Sequence, residues 1–180
     1  MERIGITKLL CVVVGMWIAV TVSMGFVATG NFKVVGPEDL RDSAEIYEDI
    51  PGPEEDGERY MALRYIASEL NRFFFAQYDK ASLALGGASL LLLLMAGRRR
   101  GLELGIVLLG LAIAAISYFY TTPLMTDLGR EIDFLPRNPE KPAKVEEFYQ
   151  YHTIIIVAEL AKVVLLGLLT LSLLRGRRSE

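Results

Sequence analysis

The sequence predicts an all-α integral membrane protein: a four-helix bundle with an extracytoplasmic amphipathic helix between the first and second membrane-spanning helices. Of the 180 residues, 52% are hydrophobic, and the mean hydropathy is +0.36. The apolar residues gather in four runs that approach the roughly 20 residues a helix needs to cross the hydrocarbon core. Arginine and lysine concentrate before the first run, between the second and third, and after the fourth. This is the charge pattern of a multi-pass membrane protein.

Several classes of functional site are excluded by residue counts alone. The chain has one cysteine, Cys11, and one histidine, His152, so it contains neither a CxxC motif nor an HExxH zinc motif. Cys11, His152 and the methionines are copper ligands by type, but their predicted depths scatter. We predict no metal, no cofactor and no nucleic-acid partner. No nucleophile with a partnered base is visible, so we do not predict an enzyme.

The first predicted span covers residues 9–29 and contains no charge. A cleaved signal peptide is the alternative, since Arg3 and Lys8 precede the run. Its apolar stretch is longer than the roughly 7–15 residues of a signal-peptide core, and no clear cleavage site follows. We therefore predict a retained membrane helix.

The other three predicted spans cover residues 81–97, 102–122 and 153–174, within a single domain of residues 1–180. Three arginines, at positions 98–100, end the second span. Glu103 lies at the basic end of the third span, and Pro123 is predicted to close it. The fourth span contains two charges, Glu159 and Lys162, and is followed by further arginines.

Basic residues set the predicted orientation. Eight of the 19 lie in three very short segments: before the first span, between the second and third, and after the fourth. With four crossings, these segments share one side, which the positive-inside rule assigns to the cytoplasm. The predicted outer segments, residues 30–80 and 123–152, carry net charges of −6 and −2. The sequence therefore predicts a protein of the bacterial inner-membrane type with both termini cytoplasmic.

The first outer segment is too long for a simple turn. Pro37 followed by acidic residues predicts a short helix to about residue 48, and Pro51-Gly52-Pro53 breaks it. Helical spacing of apolar residues predicts an amphipathic helix over about 58–78 that continues into the second span and either lies in the interface or caps the bundle. The acidic run at 54–58 is interpreted as a solvated loop, with weak cation binding as the alternative.

Prolines at positions 136, 139 and 142 predict that the second outer segment is irregular until a helix restarts near Pro142. That helix carries the best candidate site. Its face includes His152, Glu159 and Lys162, which recur at helical spacing. Glu159 would lie about 9 Å, and Lys162 about 13 Å, below the outer surface. A lone charge at such depth costs about 2.5–3.5 kcal/mol, so these residues should face protein or water rather than lipid.

Polar residues of the other spans are predicted at similar depth. These polar residues are Thr21, Ser23, Ser89 and Ser117. They are expected to form a polar layer with Glu159 and Lys162, with His152 at the outer opening of the layer. Three interpretations of the charged pair stand at this point. It is a structural ion pair, a proton or solute site, or the product of a misplaced helix boundary with Lys162 reaching to the interface.

Small residues at a spacing of four mark faces for close helix packing. In the first span they are Gly15, Ala19 and Ser23, and in the third span they are Gly101 with Gly105 and Gly110 with Ala114. Such faces suit contacts within the bundle or within a homo-oligomer, and both alternatives remain open. Gly86-Gly87 in the second span suits a bend or a close crossing.

Three segments give the chain its resemblance to a known family. They are Phe74-Phe75-Ala76-Gln77-Tyr78 before the second span, Thr122-Pro123-Leu124-Met125 at the end of the third, and Val145 to His152 before the fourth. Across most of its length the chain resembles the transmembrane protein 205-like family, a four-helix membrane domain of unknown function. In that family a serine and an asparagine tend to follow the histidine by three and seven positions, where this chain has Ile155 and Glu159.

These observations predict a polytopic membrane protein with a non-enzymatic structural or interaction role, with the lipid bilayer as its main partner. The alternative is a small proton- or ion-coupled carrier that uses the Glu159–Lys162 pair.

Overall fold

The computed structural model describes residues 2–35, 58–96, 101–133 and 143–175. Nearly all of these residues are helical, which confirms the predicted all-α fold. The helices are α1 (Glu2–Val34), α2 (Glu58–Met95), α3 (Gly101–Ile116), α4 (Thr122–Ile132) and α5 (Ala143–Arg175), and a π-helical turn, Ser117–Thr121, joins α3 to α4. The predicted short helix to about residue 48 lies outside the described residues.

Within the described residues, four helical stretches are long and apolar enough to cross a membrane, and each overlaps one predicted span: Gly5–Val34, Met61–Met95, Gly101–Ile132 and Ala143–Arg175. Large apolar side chains cover their outer surface. Phe26, Phe119 and Leu102 are each at least 70% exposed. A surface of this kind suits the acyl chains of a bilayer, and the architecture is that of a multi-pass membrane protein.

The predicted amphipathic helix forms the first part of α2, which continues without a break into the second span. With 38 residues, α2 is about 57 Å long, well beyond a hydrocarbon core of about 30 Å. Its polar residues Ser68 and Asn71 are buried, whereas Ile66, Leu70 and Phe73 are exposed. The polar face therefore points into the bundle and the apolar face points outward, the arrangement required when the surroundings are apolar.

The four stretches form a ring in which α1 contacts α2, α2 contacts α3, α3 contacts α5, and α5 contacts α1. Helices α2 and α5 therefore lie diagonally opposite each other, as do α1 and α3. Trp17 of α1 is fully buried in the centre. Its ring lies against Gly86 of α2 and Gly110 of α3, so that close to the ring there is no room for a larger side chain. The large indole thus fills the middle of the bundle.

Of the predicted small-residue faces, Gly110 with Ala114 is buried inside the bundle. The others are not used in this way. Gly15, Ala19, Gly101 and Gly105 are exposed, and a Cβ atom added at any of the three glycines would meet no atom within 4 Å. The interpretation of these positions as contacts within the bundle is therefore wrong, because their helix faces point to the surroundings. Self-association of the chain remains a prediction.

The prediction that Pro123 closes the third helix is also wrong. The chain stays helical to Ile132 because the backbone adopts a π-turn just before the proline. The amide of Thr122 donates to the carbonyl of Ser117, five residues earlier. A proline removes one amide donor and clashes with the preceding turn of an α-helix. The wider π-turn accommodates this change without ending the helix.

Polar contacts join the helices at the end of the bundle opposite Met95 and Arg175. The amide of Asn71 donates to the carbonyl of Ala28 at 3.1 Å and accepts from Asn31 at 2.6 Å. The guanidinium of Arg72 pairs with Glu69 at 2.8 Å and with Asp133 at 2.7 Å. These contacts fix α2 against α1 and against the end of α4.

We predict that Gly86→Leu destabilises the protein whereas Gly87→Leu does not. A Cβ at Gly86 would lie 2.7 Å from Leu111 Cδ1 and 2.8 Å from Cη2 of Trp17, while one at Gly87 meets nothing within 4 Å. Overpacking of this kind costs about 1–3 kcal/mol. Thermal unfolding of both variants in detergent measures the difference. Equal unfolding temperatures would contradict the close contact with Trp17.

Candidate functional site

Lys162 of α5 lies in the centre of the bundle with no exposed surface. Its ammonium group lies 2.7 Å from Glu159 Oε2, donates to the Tyr78 hydroxyl at 2.7 Å, and reaches Ser82 Oγ at 3.4 Å. Glu159 is on the same helix, whereas Tyr78 and Ser82 belong to α2 on the opposite side of the ring. The interpretation of Lys162 as a residue that reaches to the interface is therefore wrong, because its charge is compensated inside the bundle.

Tyr78 connects the charged pair to the rest of the centre. Its hydroxyl donates to the Glu159 carboxylate, accepts from Lys162, and lies 3.3 Å from Thr21 Oγ1. Tyr78 is 6% exposed, and the side chain of Glu159 is 18% exposed. The carboxylate thus receives two donors on Oε2, from Lys162 and from Tyr78. Its other oxygen, Oε1, has no hydrogen-bond partner among the described residues.

Helix α1 contributes the third wall. The indole nitrogen of Trp17 donates to Ser82 Oγ at 2.7 Å, and the Thr21 hydroxyl donates to the Trp17 carbonyl at 2.9 Å. Ser82 is fully buried, so its hydroxyl joins the tryptophan on one side to the lysine on the other. We call the six residues of this network the lysine centre: Trp17, Thr21, Tyr78, Ser82, Glu159 and Lys162.

A second carboxyl lies beside the lysine centre. Asp79 of α2 is only 2% exposed. It interacts with the Thr122 side chain at the start of α4 and electrostatically with Glu159 and Lys162. One of its oxygens, Oδ2, has no hydrogen-bond partner among the described residues. The region therefore contains two acidic groups and one basic group.

The depth of the lysine centre follows from helix geometry. Lys162 lies 13 residues before the end of α5 at Arg175, and Asp79 lies 16 residues before the end of α2 at Met95. At 1.5 Å per residue these separations are about 20 Å and 24 Å. Both are shorter than a hydrocarbon core of about 30 Å. Measured from those helix ends, both charges therefore lie at depths that a hydrocarbon core covers.

The structure brings together only some of the residues that the sequence singled out. Glu159, Lys162 and Thr21 meet in the lysine centre. Ser23 is exposed on α1, so its predicted place in the polar layer is wrong. Ser89 is fully buried, but its hydroxyl has no hydrogen-bond partner among the described residues and lies two helical turns beyond Ser82.

Two other predicted site residues are separate from the charged pair. Ser117 begins the π-turn and accepts the Thr122 amide through its main chain. His152 stacks on Phe148, with ring centroids 6.0 Å apart and an interplanar angle of 9°. It lies two turns of α5 from Glu159, about 10 Å along the axis.

Tyr78, Asp79, Ser82 and Trp17 were missed from the sequence. A signal was present in α2, where Asn71, Tyr78, Ser82 and Ser89 recur at spacings of seven, four and seven and share one face. A polar stripe along a membrane helix marks the side that faces protein. No comparable signal marked Trp17, since a single aromatic residue in an apolar run is ordinary.

The chemistry available here is charge compensation and proton exchange. Within the described residues, no group of three or more His, Cys, Asp or Glu side chains is arranged to hold a metal ion. The ionisable groups are the carboxyls of Glu159 and Asp79, the Lys162 ammonium and the Tyr78 hydroxyl. Short hydrogen bonds join Glu159, Lys162 and Tyr78, and Asp79 lies near them without a hydrogen bond to any of the three. All four groups lie in a region of low exposure, where electrostatic interactions are strong.

Comparison of the chain with protein-family models, with curated proteins and with solved structures finds no match. The resemblance to the transmembrane protein 205-like family therefore remains a prediction.

We predict that Lys162→Met destabilises the protein by about 3–5 kcal/mol, because removal of one partner leaves a buried charge uncompensated. Glu159→Leu combined with Lys162→Met should recover most of that loss, because both charges are then gone. Unfolding in detergent, measured for the wild type, both single variants and the double variant, gives the coupling energy. If the losses of the two single variants simply add in the double variant, the two side chains are not coupled.

Proposed function

We propose that the protein is a non-enzymatic, multi-pass integral membrane protein with a structural or interaction role, whose helices are held in one arrangement by the lysine centre. The observation that carries this proposal is the complete burial of the Lys162 ammonium, with partners on α5 itself and on the diagonally opposite helix α2. A closed ion pair of this kind supports a role in holding the bundle together rather than in passing a solute.

The physical basis is the weakness of apolar forces between helices in lipid. Acyl chains are as apolar as leucine, so burial of leucine against leucine does little to select one packing over another. Buried polar partners select strongly, because a helix that rotates or slides leaves a charge without compensation. Lys162, Tyr78 and Trp17 therefore fix the rotation of α5, α2 and α1 relative to one another.

For the topology we propose a membrane of the bacterial inner-membrane type with both termini cytoplasmic. The support is the concentration of basic residues in three short segments, before the first span, between the second and third, and after the fourth, and the excess of acidic residues in the two longer segments.

Single-cysteine labelling tests this topology. In a Cys11→Ser background, Asp127→Cys should react with a membrane-impermeant maleimide in intact cells, because Asp127 is exposed on α4. Arg177→Cys should react only after the membrane is permeabilised. The opposite pattern would reverse the orientation, and labelling of both variants in intact cells would contradict a membrane crossing by α5.

A small proton- or ion-coupled carrier is the second candidate function. The observation that favours it is Asp79, a third buried ionisable group beside the ion pair, since such groups in membrane helices commonly mark ion or proton pathways.

Flux into proteoliposomes separates the two candidates. For the structural role we expect the same proton and ion flux from wild-type protein, from Glu159→Gln and from empty liposomes. Ser23→Ala, at an exposed position on α1, is the matched control. A flux in the wild type and Ser23→Ala that Glu159→Gln abolishes would replace the structural role with the carrier.

A further inference from the structure

The buried charges beside α2 do not balance if every ionisable group is in its usual state at neutral pH. Lys162 contributes one positive charge, and Glu159 and Asp79 would contribute one negative charge each. Among the described residues, the other side chains of the surrounding hydrogen-bond network are uncharged: Trp17 and Thr21 from α1, Tyr78 and Ser82 from α2, and Thr122 from α4. Within the described residues, one carboxylate would thus remain uncompensated in a region almost without exposed surface.

The two carboxyls differ in the donors they receive. Glu159 accepts from both the Lys162 ammonium and the Tyr78 hydroxyl, which stabilise its anionic form. Asp79 interacts with one hydroxyl side chain, that of Thr122. Its Oδ2 atom has no hydrogen-bond partner among the described residues. A buried carboxylate without a charged partner has a large desolvation cost. The excess negative charge is therefore most unfavourable at Asp79.

We propose that Asp79 is a proton-binding site: its carboxyl carries one exchangeable proton, which leaves Glu159 and Lys162 as the compensated ion pair. This assignment goes beyond the structural role proposed above and does not depend on it. Adding H⁺ to the Asp79 carboxylate forms one O–H bond and removes one negative charge, so the region becomes neutral with one ammonium and one carboxylate.

The π-turn contributes to the construction of this site. It places Thr122 at the start of α4, directly before Pro123, and the Thr122 side chain meets Asp79. Turns of π-helix inside α-helices occur frequently at functional sites, because the extra residue redirects the side chains that follow. The π-turn thus brings a hydroxyl side chain beside the carboxyl.

A proton fits this site better than a metal cation does. Asp79 lies within the electrostatic reach of the Lys162 ammonium, which repels any second cation placed between the carboxyls. A proton forms a covalent bond with one oxygen and requires no set of surrounding ligands. A sodium ion requires several oxygen ligands, and it would keep its full positive charge beside the lysine.

Infrared difference spectroscopy of the purified full-length protein tests the proposal through the carbonyl absorption of protonated carboxyl groups. At pH 7 the wild type should show this absorption, with a shift on transfer to D₂O. Asp79→Asn should lack it, and Glu103→Gln should retain it. Glu103 is the matched control because it is a carboxyl of similarly low exposure that accepts from Ser172 outside this region. Absence of the band in the wild type, or its persistence in Asp79→Asn, would overturn the assignment.

Two further measurements make the result decisive. Asn is isosteric with the neutral acid, so Asp79→Asn should unfold at the same temperature as the wild type or higher at pH 7; a clear decrease would show that the anion is needed. Replacing choline chloride by sodium chloride at constant pH should leave the infrared band unchanged. Loss of the band in sodium would mean that a cation displaces the proton, and would overturn a site specific for protons. Neither result depends on the Lys162→Met and Glu159→Leu cycle, which tests the structural role separately.

Discussion

An ammonium group inside an apolar bundle must be compensated by neighbouring groups, and the arrangement of this protein's helices follows from that requirement. Lys162 has no contact with the surroundings, so its charge depends on Glu159, Tyr78 and Ser82. Two of those partners lie across the ring on α2. The long side chains of lysine and tyrosine span the central space, which short apolar side chains would leave partly empty.

Trp17 of α1 is also constrained by its burial, and it connects α1 to α2 and α3. Its indole nitrogen needs an acceptor when buried, and Ser82 supplies one at 2.7 Å. Its ring needs space, which Gly86 and Gly110 supply by having no side chain. One aromatic residue thereby links the polar network to the apolar packing of α2 and α3. The polar and apolar parts of the centre are consequently interdependent, since a shift of Trp17 changes both the hydrogen bond to Ser82 and the contact with the glycines.

In the first part of α2 the distribution of side chains is the reverse of that in a water-soluble bundle. In α2 the buried face includes Ser68, Asn71 and Tyr78, while Ile66 and Phe73 are exposed. In a membrane this arrangement is favourable, because apolar side chains lose nothing against lipid and polar side chains need partners that only protein supplies. The same argument explains why a proline within the third stretch is tolerated: the π-turn keeps the chain helical and, through Thr122, supplies a polar partner to Asp79.

The sequence by itself determined the four membrane-spanning stretches of the described residues, the part of the chain each apolar run occupies, and the presence of a charged pair on one face of the last helix. These features depend on local periodicity and on the cost of moving charge into an apolar medium. Both can be evaluated from the sequence of each segment alone. The continuation of the third stretch beyond Pro123 was not predictable in this way, because the π-turn that permits it depends on the local hydrogen bonding of the backbone rather than on composition.

Only the tertiary structure decided which residues complete the site. Tyr78, Ser82 and Trp17 are more than 60 positions from Lys162 in the chain, and the rotation of each helix about its axis determines whether they point to the lysine or to the surroundings. The rotation of α1 places Ser23 outside the bundle, and the rotation of α3 places Gly110 inside it. Each residue belongs to a series of small residues spaced by four on its own helix. Spacing shows that residues share a face, but which face is buried depends on all four helices packing together.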